Sequence, residues 1–271
     1  MNGSTSGHSW ALVGGVDGVP GRGRSARGKM SGGWVMVVAG VVPGSRVEEV
    51  VVKGSFADLW AHACKAGLLA VTVDIPIGLP ATEGRTADRD ARHCLKGPPS
   101  RSSSVFPTPP LSSINASTYE DAQKLARRST GKGISRQTYA LFPKIRDVRC
   151  AVQPDAFDPR SRPRVAEVHP EVSFQAMACQ PMCFHKRFQA GVAERLALLE
   201  CDFPNLADVA LRTRITGRDA AGLGETLTPG LDDVLDAVAA AWTARRLIQG
   251  RAKRLGGSER DPDGYPMNIW A

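Results

Sequence analysis

The chain has 271 residues, with 35 Lys and Arg against 27 Asp and Glu, for a formal net charge of +8. A composition that is 42% hydrophobic and 23% charged excludes wholesale disorder, and a chain of this length buries roughly 70% of its extended surface on folding. The longest apolar stretches, 34–42 and 67–77, fall short of the ~20 residues a membrane span needs, and Asp74 interrupts the second. In chain order, residues 1–10 are small and polar and read as a flexible terminus. Residues 11–16 are a first buried strand that meets a turn at Asp17-Gly18. The Gly- and Arg-rich segment 20–33 reads as a basic loop. Strands are expected at 34–42 and 46–53, with a turn at Pro43-Gly44 between them. Ser55 is the expected N-cap of a helix over 56–65, closed by Gly67, and 68–73 is a fourth, fully apolar strand ending at Asp74.

The pattern then changes. Residues 85–97 and 116–130 read as helices around a Ser/Pro loop at 98–112. Pro143 interrupts or begins a helix near 144–148, and three prolines mark 153–163 as a loop. A fifth strand at 165–169 is stopped by Pro170. Helices follow at 172–179, 186–200 and 231–249, and 267–270 is a last extended piece. The expectation is one domain over 11–271, with a helical insertion at about 80–160 between strands four and five.

Six scattered cysteines, with no basic start followed by an apolar run in residues 1–10, point to reduced thiols and a cytoplasmic protein. Cys179, Cys183 and His185 do not have paired zinc-knuckle spacing. The positive charge is uneven. Residues 85–149 hold 13 Lys and Arg against five Asp and Glu, which equals the net charge of the whole chain. Such a face suits nucleic acid or a phosphorylated ligand; it also suits a plain solvated helical surface.

Three strands, a helix, a strand, a helical insertion, a strand and a closing helix is the element order of the ribonuclease-H-like fold: an α/β mixed five-stranded sheet flanked by helices. In such a sheet, acids at strand ends and on the last helix can meet. Asp17, Asp74 and Glu167 lie at or near strand ends, and Asp232, Asp233 and Asp236 open the final helix. Asp232 and Asp233 also suit the helix dipole, and Asp17 and Asp74 also suit turns. Asp236 lies further in, among apolar residues. Two carboxylates ~4 Å apart repel by about 4 kcal/mol at an effective dielectric of 20, so such a cluster needs cations or protons. Carboxylate oxygens select Mg²⁺ or Mn²⁺, and two such ions can activate water for phosphodiester cleavage.

The motifs resemble the family called domain of unknown function 429, described as predicted nucleases of the ribonuclease-H-like superfamily. They are GVDG (15–18), GGW (32–34), DIPIGLP (74–80), Arg85 with Asp88 and Arg92, SSVF (103–106), GISRQ (133–137), KIRDV (144–148), EVHPEVSF (167–174), DDVLDAVAAAWTA (232–244) and PMNIWA (266–271). The resemblance covers nearly the whole chain after residue 11. It implies that Asp17, Asp74, Glu167, Asp233 and Asp236 bind Mg²⁺ or Mn²⁺ and serve catalysis on nucleic acid; the short apolar stretches give the expectation of no membrane partner. Two features depart from the family pattern: the basic loop before GGW, and the Cys, Met and His residues within 176–186.

Arg85, Arg92 and Lys144 are the candidate phosphate binders, with helix-surface ion pairing as the plain alternative. Glu171 is a rival to Glu167, but Pro170 is expected to end the strand first and leave Glu171 as an N-terminal charge of the next helix; His169 is either a general base or a hydrogen-bonded core residue. A sugar-kinase-like phosphotransferase fits less well, because Gly18-Val19-Pro20 offers no hydroxyl to a phosphate. A non-catalytic nucleic-acid or nucleotide-binding module on the same fold is the other alternative.

Overall fold

A computed structural model describes residues 11–20, 24–25, 28–29, 32–209 and 229–271. The expected terminus at 1–10 lies outside the described residues, and the loop at 20–33 falls partly outside them. Within that loop, β2 (Arg24–Ser25) and β3 (Gly28–Lys29) form a short antiparallel pair.

Strand β1 (Leu12–Val19) is the middle of a five-stranded sheet. Strands β4 (Gly33–Gly40) and β5 (Val47–Lys53) lie to one side, each antiparallel to its neighbour. On the other side β6 (Ala70–Val73) and β7 (Arg164–Glu167) run parallel to β1. The order is therefore β5-β4-β1-β6-β7. The expected turn at Asp17-Gly18 is instead strand, because Asp17 pairs with Val35, Gly18 with Trp34 and Val19 with Gly33. A full ladder satisfies these backbone groups and overrides the local turn preference.

Side chains alternate across the sheet. Val16 and Val73 belong to the core under α1 (Phe56–Lys65) and α5 (Phe142–Ala151). Val13 and Val19 face the opposite side, where α8 (Leu231–Ile248) lies with α6 (Pro170–Ala178) and α7 (Gln189–Glu200). Helix α8 is buried almost all round from Val234 to Leu247, as its alanine-rich sequence allows. Thr72 Oγ1 donates to Ala240 O at 2.7 Å and fixes the helix against β6.

Between β6 and β7 come α2 (Thr86–Cys94), α3 (Tyr119–Thr130), α4 (Arg136–Ala140) and α5. Pro143 lies in the first turn of α5, where its missing N–H costs nothing. Pro170 opens α6 directly after the short β7, so the fifth strand ends at Glu167 and the helix starts two residues earlier than the pattern predicts. Helix α7 begins at Gln189 rather than at 186. The Glu194 carboxylate takes the N–H groups of Cys183 and Phe184 and holds the preceding segment in a separate turn. The tail adds β8 (Arg254–Leu255) and β9 (Ile269–Trp270), an antiparallel pair. All six cysteines are free thiols. Among the described residues, no helix is long and apolar enough to cross a membrane.

Candidate functional site

Parallel pairing of β1 with β6 sets Val16 opposite Val73, so Asp17 and Asp74 follow at the same end of adjacent strands. The Asp74 N–H donates to Val16 O at 3.0 Å and keeps the two chains together past the ladder. Gly15 and Asp17 share the face toward α8. A Cβ on Gly15 would lie 1.9 Å from Ala241 N and 2.2 Å from Ala237 O, so this glycine lets the helix touch the strand backbone. Asp236 stands one turn before Ala240, on the part of α8 that runs toward Asp17. Three carboxylates from three elements thus converge. Asp17 is 8% exposed and Asp236 only 2%.

Burial pushes the Asp17 carboxyl well above its ordinary range, and the charges of Asp74 and Asp236 push it further. Burial also raises Asp74, to about 6; His169 pulls it down in part, and Asp236 opposes that pull. Asp236 is raised by burial too, against the pull of Lys186. Lys186 comes from the segment before α7, and its Nζ forms an ion pair with Asp236 Oδ2. Burial alone would lower this ammonium, but Asp236, Asp17 and Asp74 together carry it above its usual value. Lys144 forms a second basic wall. Its Nζ donates to Gly33 O and lies 4.1 Å from the centre of the Trp34 ring. Burial lowers this ammonium to about 8, against the pull of Asp17.

The remaining sequence candidates have other partners. Glu167 is bound by Arg85 at 2.6 and 2.8 Å and by the Ile77 N–H at 2.8 Å. Arg85 also binds Asp88 and Gly78 O, so its buried guanidinium is saturated by the protein. Arg92 gives Nε and Nη2 to Val105 O. Asp233 accepts the Gly230 N–H at 2.7 Å at the start of α8, while its charge still reaches Asp17. Of the three expected phosphate binders, only Lys144 stands beside the acids.

Glu171, expected as an N-terminal charge of the helix rather than as part of the cluster, stands beside it. It acts electrostatically on both Asp74 and Asp236. One oxygen pairs with Arg195, and Oε2 is buried without a hydrogen bond. His169 Nε2 lies 3.3 Å from Ser104 O, and its Nδ1 is also buried without a hydrogen bond. Lys186 and Arg195 carried no sequence signal of their own; the unusual 176–186 stretch was the only pointer to that region.

Asp17, Asp74, Asp236, Glu171, Lys144 and Lys186 line a cavity of about 1540 Å³. Among the described residues, no three Asp, Glu, His or Cys side chains stand in metal-holding geometry, and an ammonium, that of Lys186, lies among the acids. The donor chemistry nevertheless fits a hard divalent ion. Asp17, Asp74 and Asp236 bring excess negative charge, and the unpartnered Glu171 Oε2 adds a free oxygen.

No curated protein and no solved structure matches the chain. The model of the family described as protein of unknown function (DUF429) matches residues 15–261, and the chain belongs to that family.

Proposed function

We propose that this protein is a Mg²⁺- or Mn²⁺-dependent phosphodiesterase acting on nucleic acid, built on a ribonuclease-H-like fold. The fold reading is supported by the strand order. Numbered within the sheet it runs 3-2-1-4-5, with the second strand antiparallel to its neighbours. The observation that carries the activity is the convergence of Asp17, Asp74 and Asp236 from two parallel strands and one helix in a large cavity walled by lysines. Asp17, Asp74, Asp236 and Glu171 would hold the metal. A divalent ion there would activate water and stabilise the leaving oxygen. Lys144 Nζ, with its ammonium lowered to about 8, is suited to move a proton near neutral pH. His169 lines the cavity as well; its Nε2 faces Ser104 O, which can only accept, so Nδ1 is left as an unpartnered acceptor nitrogen.

Glu167 has a different task. With Arg85 and Asp88 it ties β7 to α2 in the wall of the cavity.

One observation favours the non-catalytic alternative: Lys186 already supplies a cation to the acids. A single experiment decides between the readings. Cleavage of a labelled oligonucleotide is followed in Mn²⁺ for the wild type and for Asp17→Asn. The phosphodiesterase reading expects cleavage that falls on the order of 100-fold or more in the variant, with the fold intact. Binding without cleavage in the wild type, unaffected by Mn²⁺, is the result expected of a binding module.

A further inference from the structure

Four large hydrophobic side chains are exposed among the described residues: Val42, Phe106, Phe184 and Phe188. Val42 lies apart, beside the turn after β4. Of the three phenylalanines, Phe106 lines the cavity, and Phe184 and Phe188 flank in sequence three residues that line it. The segment from Phe184 to Phe188 puts His185, Lys186 and Arg187 into the wall while its two end rings stand in solvent, 51% and 67% exposed. In the order Phe-His-Lys-Arg-Phe two cations lie between the end rings.

The backbone under these rings is fixed. Phe184 N–H donates to Glu194 Oε2 at 3.0 Å, and Phe184 O accepts from Arg195 Nη1 at 3.1 Å. Arg101 joins the segment to the Phe106 side of the cavity, donating to Met182 O at 2.8 Å and to Cys183 O at 2.6 Å. Phe188 N–H bonds His185 O at 2.9 Å, and the His185 and Phe188 rings meet edge to face with centres 6.1 Å apart. Solvent-facing rings on a backbone bonded at both ends cost little entropy to use in binding.

We infer that the cavity mouth is a groove for single-stranded nucleic acid, in which Phe184 and Phe188 stack on unpaired bases while the exposed Arg187 between them faces the phosphates. This deepens the phosphodiesterase reading and rests on it for the site's chemistry. Stacking platforms interleaved with cations suit a strand whose base faces are free; in a duplex those faces are already stacked on one another. The cavity, at about 1540 Å³, also exceeds the roughly 300–1,000 Å³ of small-molecule pockets.

Fluorescence anisotropy in EDTA tests this without metal or cleavage. The probes are a labelled oligothymidylate of about 15 nucleotides and a labelled duplex of the same length. The wild type is expected to bind the single strand at least tenfold more tightly. Phe184→Ser with Phe188→Ser is expected to weaken single-strand binding on the order of tenfold or more per ring and to leave the salt dependence unchanged. Equal affinity for duplex and single strand, or an unchanged affinity in the double variant, overturns the inference. Phe188→Trp gives a readout that does not depend on a loss: its added emission is expected to be quenched by oligothymidylate, and undiminished emission at saturation overturns the stacking role. The two readings fail separately. A protein that binds single strands but never cleaves them loses the phosphodiesterase reading alone. One that cleaves in Mn²⁺ with no single-strand preference loses only the groove.

Discussion

Lys186 Nζ is ion-paired with Asp236 Oδ2 at a point where Asp236 is buried within an apolar helix face. The pair places a removable positive charge where an acid cluster would otherwise need a metal or protons. Replacing Lys186 with Met leaves that carboxylate without its partner. Because the lysine side chain is 35% exposed, the expected cost is about 2 kcal/mol, below the 3–5 kcal/mol of a fully buried pair. Urea unfolding in EDTA measures it. Mn²⁺ is expected to restore more stability to Lys186→Met than it adds to the wild type, because the ion no longer competes with the ammonium. Equal stabilisation of both proteins would contradict the competition.

The Asp74 carboxyl, raised to about 6 from an ordinary 3.8, makes metal-free stability depend on pH. The folded protein holds this proton more tightly than the unfolded chain does. Its contribution is complete below about 3.8 and is lost as pH rises through about 6. The loss amounts to about 3 kcal/mol. Asp17 shifts in the same direction. The stability difference between wild type and Asp74→Asn, from urea unfolding in EDTA, should therefore favour the wild type more at pH ~4 than at pH ~7. A difference that does not move with pH would place Asp74 in solvent.

Gly15 sets how closely α8 approaches the sheet. In Gly15→Ala the new methyl would lie against helix backbone, which cannot turn aside. The expected loss is about 3 kcal/mol or more, with failure to accumulate as folded protein at the extreme. Gly14→Ala is the comparison, since its methyl would meet the flexible end of Met36 at 2.9 Å. Thermal melts of the two variants should differ clearly. A Gly15→Ala protein as stable as wild type would mean the helix is set further from the strand.

The two glutamates of the EVHPE motif should separate by function. Glu167→Gln weakens a buried ion pair with Arg85 and should cost stability, about 2–4 kcal/mol, while its effect on cleavage follows the fraction folded. Glu171→Gln should lower Mn²⁺ affinity about tenfold or more while keeping most of its stability, since one oxygen can still accept from Arg195. Paired unfolding and metal titrations distinguish them, and the opposite pattern would return the metal role to Glu167.

Much of this was legible in the residues. Asp17 and Asp74 stood out because each follows an apolar strand, and Asp236 because it interrupts an apolar helix; the structure brings these three together. Between Glu167 and Glu171 the residues favoured Glu167. A continued strand would have put both on one face, but Pro170 starts α6 at once and turns Glu171 toward Asp74 and Asp236. Glu167 meets Arg85, 82 positions away in sequence, across the turn between β6 and α2, a pairing no local pattern announces. Arg85 and Arg92 carried a phosphate signal because guanidinium groups serve buried carboxylates and carbonyls equally well. Lys186 was hidden because it precedes its helix in a segment without periodicity.

A calorimetric titration of Mn²⁺ at neutral pH into the metal-free wild type, beside the Asp17→Asn, Asp74→Asn double variant, tests the central claim most directly. Saturable binding by the wild type that the folded double variant lacks is the predicted result. Identical isotherms for the two proteins, or no binding by the wild type even with an oligonucleotide present, would contradict a metal site at these acids.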